Sequence, residues 1–176
     1  MKTIAISYSL TGNNQDLAAS LATNLGADHV RITEPRSRTN TTIALDIMFR
    51  RTPKIVVPLE KTEEYDLVLF VGPVWMGQIA TPFRACFEQL GPKIDRYAFI
   101  SLSGGADGPN PKLADELERR LGKEPVCLLD LHVANLLPSE PAPTRDDTMA
   151  YRITEKDLQR LTETAVETLR KMEESS

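Results

Sequence analysis

One short segment combines hydroxyl and amide side chains with a single glycine: Ser9, Leu10, Thr11, Gly12, Asn13 and Asn14. It lies between a short apolar run and a helical pattern, so its main-chain N–H groups would meet a ligand at the positive end of a helix dipole. No lysine or arginine occurs between Lys2 and Arg31, so oriented dipoles would hold an anion here without charge pairing. The segment predicts a seat for a phosphate monoester. Because such residues are common in turns and caps, a plain helix start is the alternative.

A second segment places the only tryptophan of the chain in a loop between a buried strand and a helix: Pro73, Val74, Trp75, Met76 and Gly77. An aromatic side chain at the carboxyl edge of a sheet can stack on a planar conjugated ligand, and a glycine lets the backbone approach that ligand. The segment therefore predicts one wall of a flat-ring site. The alternative is that Trp75 covers the end of the core.

A third segment is rich in glycine: Ser103, Gly104, Gly105, Asp107 and Gly108. Its main chain could hydrogen-bond the polar edge of a ring, although a glycine-rich loop could equally be a mobile turn. The sequence contains neither GxxxxGK[ST] nor GxGxxG, which argues against tightly held ATP or NAD.

No other residue type predicts catalysis or metal binding. His29 and His132 lack an acidic or cysteine partner at a suggestive spacing, and Cys86 and Cys127 lie in apolar surroundings without zinc-site spacing. We therefore predict neither a catalytic side chain nor a metal site. Four arginines, at positions 36, 38, 50 and 51, are interpreted as a solvated face, with a patch near the site as the alternative.

Composition narrows the class of protein. The 176 residues, 41% of them apolar, suffice for one domain over residues 1–176, and 21 basic against 25 acidic residues give a net charge of −4. This charge supplies no broad attraction to nucleic acid or to anionic lipid. The apolar stretch at the start is too short for a secretory leader, and no run could span a membrane. We therefore expect a cytoplasmic protein that binds neither nucleic acid nor membrane.

Strand patterns alternate with helical patterns along the chain. The predicted strands cover residues 3–8, 29–32, 67–72, 97–102 and 126–133. The predicted helices cover residues 14–25, a segment around 43–48, a segment from a Thr81 cap to Leu90, a segment from an Asn110 cap to Leu121, and a last helix that begins at Thr154 and turns Met172 inward. Residues 55–57 are either a small strand or a packed loop, and residues 138–144 are an extended excursion.

This alternation predicts an α/β fold: a three-layer α/β/α sandwich with a doubly wound five-stranded parallel sheet. In such sheets a ligand binds outside the carboxyl ends of the strands, where the strand order reverses. The three polar segments follow the first, third and fourth strands, so we expect them to meet at that edge.

Three motifs in this arrangement resemble the flavodoxin family over nearly the whole chain. They are S-L-T-G-N-N after the first strand, G-P-V-W-M-G after the third and S-x-S-G-G after the fourth. The resemblance implies strand order 2-1-3-4-5 and an FMN cofactor. It places the phosphate at residues 9–14 and the isoalloxazine ring between residues 73–77 and the third loop at residues 103–105, 107 and 108.

Two departures bear on the activity. The third loop has no aromatic residue and the net charge is modest, unlike the flavodoxins that carry electrons. The pattern G-P-V-W-x-G-x-x-x-x-P-x-R, which ends at Pro82 and Arg84, looks more like the NAD(P)H-dependent oxidoreductases of this fold. The first hypothesis is therefore an FMN-dependent NAD(P)H oxidoreductase that reduces a quinone or similar small acceptor. The alternatives are a one-electron carrier that docks on a redox partner protein, and a flavin-free interaction module; a homodimer is compatible with each.

Overall fold

The structure is a computed structural model that describes residues 1–36, 38–58 and 62–174. The strands are β1 (Thr3–Ser7), β2 (Asp28–Arg31), β3 (Leu67–Val71), β4 (Val74–Trp75), β5 (Gln78–Ile79), β6 (Tyr97–Ser103) and β7 (Cys127–His132). The α-helices are α1 (Asn13–Leu25), α2 (Asn40–Met48), α3 (Thr81–Leu90), α4 (Leu113–Leu121), α5 (Arg145–Ala150) and α6 (Glu155–Glu174). Short 3₁₀ helices cover Thr62–Glu64, Gly91–Lys93 and Val133–Leu136.

Five strands form one parallel sheet in the order β2-β1-β3-β6-β7. Strands β4 and β5 form a separate antiparallel hairpin. When only the strands of the main sheet are counted, this is the predicted order 2-1-3-4-5, and the predicted doubly wound sandwich is confirmed. Strand β2 lies on one side of β1, and β3, β6 and β7 follow on the other side. The strand order therefore reverses between β1 and β3.

The two central strands β3 and β6 are buried along their whole length. Their side chains enter two apolar layers, one on each face of the sheet, as a near-continuous apolar run predicts. One layer packs Phe70 and Phe99 against Phe83 of α3, and the other packs the sheet against Leu17 of α1 and Leu161 of α6. Burial of each such side chain stabilises the fold by roughly 1.5–3 kcal/mol.

The helix ends test the predicted caps. The predicted start of the last helix at Thr154 is confirmed by a capping box, in which Asp157 N donates to Thr154 Oγ1 at 3.2 Å and Thr154 N donates to Asp157 Oδ2 at 2.9 Å. The Thr81 cap is wrong: Ala80 occupies the cap position, and Thr81 is the first helical residue. The Asn110 cap is also wrong, because the Asn110 side chain donates to Asp130 and α4 begins only at Leu113.

Several features were not predicted. They are the β4–β5 hairpin, helix α5, and the exposure of Met172. Met172 is 40% exposed and lines a small cleft together with Leu67 and Cys127, which begin their strands. Residues 55–57 form a packed loop in which Val56 makes a single antiparallel bridge to Thr33. In the part of the chain that the structure describes, no helix combines the length and apolar content needed to cross a membrane.

Candidate functional site

The three predicted segments leave the sheet at one edge. Ser7, at the end of β1, pairs with Val71 at the end of β3, and Val71 pairs with Ile100 of β6. The main chain continues these ladders beyond the strands, with Tyr8 N donating to Val71 O at 3.0 Å and Gly72 N donating to Ile100 O at 3.1 Å. The fold therefore brings together the loops that follow β1, β3 and β6, as the parallel sheet requires.

The first loop closes at the amino end of α1. Gly12 adopts φ 100° at the cap position, and its N–H donates to Ser9 Oγ at 3.0 Å. A Cβ atom added at Gly12 would meet nothing within 4 Å, so the loop is open on that side. The N–H groups of Asn13 and Asn14 lie in the first turn, where no intrahelical acceptor exists. Open space and first-turn N–H groups without an intrahelical acceptor are what a phosphate needs.

The motif suggests that the Asn13 and Asn14 side chains bind the phosphate, but in the structure they bind the main chain of the protein. The Asn14 side chain makes two hydrogen bonds with the main chain of Leu102. Asn14 Nδ2 donates to Leu102 O at 2.7 Å, and Leu102 N donates to Asn14 Oδ1 at 3.1 Å. Asn13 similarly donates to Tyr151 O at 3.0 Å and accepts from Ile153 N at 3.3 Å. Both side chains are buried and fasten the loop to its neighbours, so only their main-chain N–H groups are oriented for a ligand. Ser9, Leu10 and Thr11 are partly or largely accessible.

The second segment forms the β4–β5 hairpin. Met76 and Gly77 occupy its tip with φ 51° and 75°, as in a two-residue turn with left-handed backbone at both positions. Pro73 and Val74 are buried below the tip, and Pro73 O accepts from Ala80 N at 3.1 Å. Met76 is 77% exposed. The hairpin therefore presents a flexible thioether and a glycine backbone at the sheet edge.

Trp75 is half-buried and held by two neighbours. The Tyr8 ring meets it edge-on, with centroids 5.7 Å apart, and the Arg38 guanidinium lies 5.7 Å from its ring centroid. Tyr8 OH donates to Glu34 Oε2 at 2.8 Å. Both readings of Trp75 thus have support, since it packs on the core and also lies at the edge where the loops meet.

Of the four arginines interpreted as a solvated face, those at positions 36, 50 and 51 are exposed, and the interpretation is wrong only for Arg38. Its side chain is 5% exposed and pairs with both Glu34 and Asp46. Burial by itself would lower the pKa of Arg38, but hydrogen bonds to these two carboxylates raise it above the ordinary value, so the guanidinium stays charged. No local sequence pattern predicts this network, because Asp46 belongs to α2 and Glu34 lies four positions away in a non-helical segment.

The third loop packs closely on β7 and α5. A Cβ atom at Gly105, where φ is 74°, would lie 2.3 Å from His132 Cβ, and one at Gly104 would lie 2.9 Å from Thr148 Oγ1. Gly108 N donates to Gly105 O at 3.0 Å, which closes a tight turn. Gly104 and Gly105 are therefore needed for close packing. At the start of this loop, Ser103 Oγ is buried and has no hydrogen-bond partner among the described residues.

Asp107 lies away from these contacts. It forms a two-pronged ion pair with Arg145, at 2.8 and 2.9 Å, in which both side chains are mostly exposed. The hydrogen bond from Arg145 lowers the pKa of Asp107, although solvent screens such a pair. The structure therefore gives Asp107 a visible role in joining the third loop to α5.

Asp130 anchors the third loop from below. It accepts hydrogen bonds from Ser101 Oγ at 2.5 Å and from Asn110 N at 3.1 Å, and its Oδ2 lies 3.0 Å from His132 Nε2. Burial acts to raise the pKa of Asp130, but the hydrogen bonds from Ser101 and Asn110 and the nearby His132 bring it below its ordinary value. Sequence reasoning missed this group, although one carboxylate within an otherwise apolar strand was an available signal.

The chemistry of the site is one of binding and positioning. Burial raises the pKa of the Cys86 thiol to about 12, so this thiol is protonated and unreactive near neutral pH. His29 Nε2 lies 2.9 Å from Ser7 Oγ, and burial and nearby Arg31 lower the His29 pKa. Among the described residues, no cluster of three or more His, Cys, Asp or Glu could hold a metal ion. What the edge offers is N–H donors, one indole and glycine backbone.

Comparison with solved structures identifies the fold. A flavoprotein from Lactobacillus acidophilus NCFM, solved in complex with FMN, matches with a TM-score of 0.63 at 23% identity, over 73% of this chain and 92% of that one. A flavoprotein from Bacteroides uniformis matches with a TM-score of 0.62 at 16% identity, over 84% and 95%. A flavodoxin from the domain Archaea matches with a TM-score of 0.50 at 16% identity, over 98% and 99%. These likenesses establish a flavodoxin-like fold. No protein-family model and no curated protein matches the sequence.

Proposed function

We propose that the chain binds FMN at the edge formed by the three loops and acts as an NAD(P)H-dependent oxidoreductase on a quinone or a similar acceptor. The observation that carries this proposal is the amino end of α1, where Gly12 leaves open space beside first-turn N–H groups. The FMN-bound structural neighbour of the same fold supports it. The free buried cysteines Cys86 and Cys127 fit the cytoplasmic location that forms part of the proposal.

In this proposal the first loop binds the phosphate. The main-chain N–H groups of Thr11, Asn13 and Asn14 donate to its oxygens, and the dipole of α1 stabilises its charge. The Thr11 hydroxyl adds a donor at the rim. Asn14 keeps the loop in register with β6, because its side chain holds the main chain of Leu102. The chain thus orients the anion with a preformed backbone nest.

The other two loops flank the ring. Trp75, fixed by Tyr8 and Arg38, would contact one edge or face, and Met76 would adapt its thioether to the ring. On the other side Ser103 Oγ, which has no partner in the described chain, would gain one from a polar ring atom. FMN, when bound, supplies the electron or hydride transfer. The residues of the chain position it and set its surroundings.

The reductase assignment rests on access to the ring. The third loop contains no aromatic side chain, so nothing of that kind covers the position that a nicotinamide or a quinone would take. A one-electron carrier is the second candidate. The exposed apolar side chains of Met76 and Leu10 at the rim favour it, because such side chains suit the docking of a protein partner.

A reductive titration tests the assignment. The protein is reconstituted with FMN, and its visible spectrum is followed under anaerobic conditions as NADPH, or dithionite as a control, is added. If the protein is an oxidoreductase, stoichiometric NADPH bleaches the flavin absorbance, and addition of a quinone restores it. If dithionite reduces the flavin in two separate one-electron steps while NADPH leaves it oxidised, the carrier is correct. A protein that remains colourless after reconstitution is the flavin-free module.

A further inference from the structure

A cavity lies beside the three-loop edge. It has a volume of ≈ 800 Å³ and is bounded by the end of α2, by α3, by α4 and by the tip of the β4–β5 hairpin. Of the residues predicted to bind FMN, only Gly77 lines it. Five basic side chains reach its wall, against three carboxylates. They are Arg50, Arg84, Lys112, Arg119 and Arg120. The volume is in the range of small-molecule sites, so the cleft could enclose a ligand of nucleotide size.

Arg84 is the unusual member of this cluster. Its side chain is 3% exposed, yet in the part of the chain that the structure describes no carboxylate lies within ion-pair distance of it. Its Nη2 donates to Gln78 Oε1 at 2.7 Å and its Nη1 reaches Asp46 O only at 3.5 Å. Its Nε is buried and has no acceptor among the described residues. A buried guanidinium without an anionic partner is costly in free energy.

The nearest acidic candidate is already engaged. Glu116 accepts from Arg120 Nε at 2.9 Å through one oxygen and from Ile79 N at 2.9 Å through the other. Burial and the nearby charge of Arg120 lower the pKa of Arg84, and the carboxylates of Glu116 and Asp46 offset this lowering only in part. The cleft therefore holds more positive charge than its own carboxylates balance, and the excess is concentrated around a buried arginine.

We propose that this cleft binds the phosphate group of a small organic phosphate, with Arg84 at its base and the side chains of Arg50 and Arg119 at its rim. A guanidinium presents donors in a planar fork that matches phosphate oxygens, and removal from water strengthens such bonds. An anion here would supply the charge that Arg84 lacks. The site is distinct from the first loop, which contains no basic side chain.

The cleft adjoins the hairpin through Gln78. This residue holds Arg84 by its side chain, lines the cleft, and pairs by its main chain with Trp75. Two sources of the phosphate are therefore compatible with the geometry: a nicotinamide dinucleotide whose other end reaches the three-loop edge, or an unrelated phosphate ester. Binding of the phosphate does not depend on the FMN proposal, so either can fail without the other.

Calorimetric titration of pyrophosphate into the full-length chain tests this site, with and without saturating FMN. We expect pyrophosphate to bind at one site that remains available when FMN saturates the first loop. Arg119→Gln, on the exposed rim, should weaken binding by about tenfold or more, because it removes a charged hydrogen-bond donor. Arg84→Gln should abolish binding; since this buried variant can also unfold, Arg119→Gln carries the test by itself. Arg170→Gln, on the exposed side of α6, is the matched control and should bind as the wild type does.

The outcomes separate the sources and the sites. If NADP⁺ displaces pyrophosphate, the dinucleotide is the source, and if neither NADP⁺ nor NAD⁺ displaces it, another phosphate ester is; both results uphold the site. Absence of pyrophosphate binding, or unchanged affinity in Arg119→Gln, would overturn it. Loss of the pyrophosphate signal on saturation with FMN would also overturn it, since the anion would then occupy the first loop. A chain that binds pyrophosphate but not FMN refutes only the proposed function.

Discussion

At the residue scale, Gly12 and Asn14 show two ways in which a loop residue prepares a site. Gly12 adopts φ 100°, which lets the chain turn into α1 with its N–H groups directed toward open space. Asn14 is buried and replaces a missing strand neighbour by bonding to both main-chain groups of Leu102. Gly12 thus shapes the loop where the ligand would bind, and Asn14 attaches the loop to β6.

Substitution of Gly12 should weaken FMN binding more than it weakens folding. Gly12→Ala meets no atom within 4 Å, so its effect is backbone strain of about 1 kcal/mol or more, which tilts the loop away from its phosphate-binding form. Gly26→Ala, at the other end of α1 with φ 61° and equally open space, is the matched control. Fluorescence titration with FMN should give a weaker affinity for Gly12→Ala only. Equal affinities in the two variants would remove Gly12 from the site.

Removal of the Asn14 amide should destabilise the fold strongly. Asn14→Ala leaves Leu102 N and O without their partner in a buried place, which costs roughly 2–4 kcal/mol for two lost bonds. Asn24→Ala, which loses only an exposed bond to Ser20 O, should cost well under that. Urea denaturation measures both free energies of unfolding. A small effect at Asn14 would mean that water replaces its amide.

At the element scale, helix ends decide where the loops point. Helix α6 begins at a complete capping box, and the Tyr151 OH adds a 2.7 Å hydrogen bond to the same Asp157 carboxylate. The main chain of Tyr151 and Ile153, just before this helix, is held by Asn13. The start of α6 therefore also fixes the start of α1.

The Thr154 cap should be worth about 1 kcal/mol of stability. Thr154→Ala removes the acceptor for Asp157 N and lowers the free energy of unfolding by that amount. Thr164→Ala, in the exposed middle of the same helix, is the control and should be neutral or slightly stabilising, since its hydroxyl only bonds back to Arg160 O. Thermal unfolding compares the two. Equal melting temperatures would show that the cap is dispensable.

The elements also show what sequence reasoning could and could not predict. Alternating apolar runs predicted the parallel sheet and the edge where the loops meet, because burial on both faces leaves a strong pattern in β3 and β6, whereas the strand order was implied by the resemblance to the flavodoxin family. The caps at Thr81 and Asn110 failed because long-range contacts outweigh local preference, as in the bond from Asn110 to Asp130. The burial of Arg38 and of Arg84 left no local signal, since their partners come from other elements.

At the scale of the whole molecule, the sheet gathers at one edge groups that are far apart in sequence. Asp130, on the outer strand β7, is bonded to Ser101 on β6 and to Asn110 in the loop before α4. It thereby fixes the third loop relative to the sheet. Because this role depends on its charge, the stability of the whole fold becomes sensitive to acid.

Stability should fall in acid partly through Asp130. Its pKa is below the ordinary 3.8 in the folded chain, so the stabilisation is fully present above that value and is lost as the pH falls through the lowered folded pKa. Asp130→Asn should be less stable near neutral pH and should show a shallower loss between about pH 4 and pH 2. Urea unfolding across this range measures the slope, with the exposed Asp95→Asn as control. An unchanged slope in Asp130→Asn would show that its charge does not stabilise the fold.

The central claim is that backbone N–H groups at the start of α1 bind the phosphate of FMN. Parallel calorimetric titrations of the full-length chain with FMN and with riboflavin, which lacks the phosphate, test it most directly. The account predicts one FMN per chain, bound at least about tenfold more tightly than riboflavin, because charged hydrogen bonds to the phosphate are lost with riboflavin. Equal affinity for the two flavins, or no binding of FMN, would contradict it.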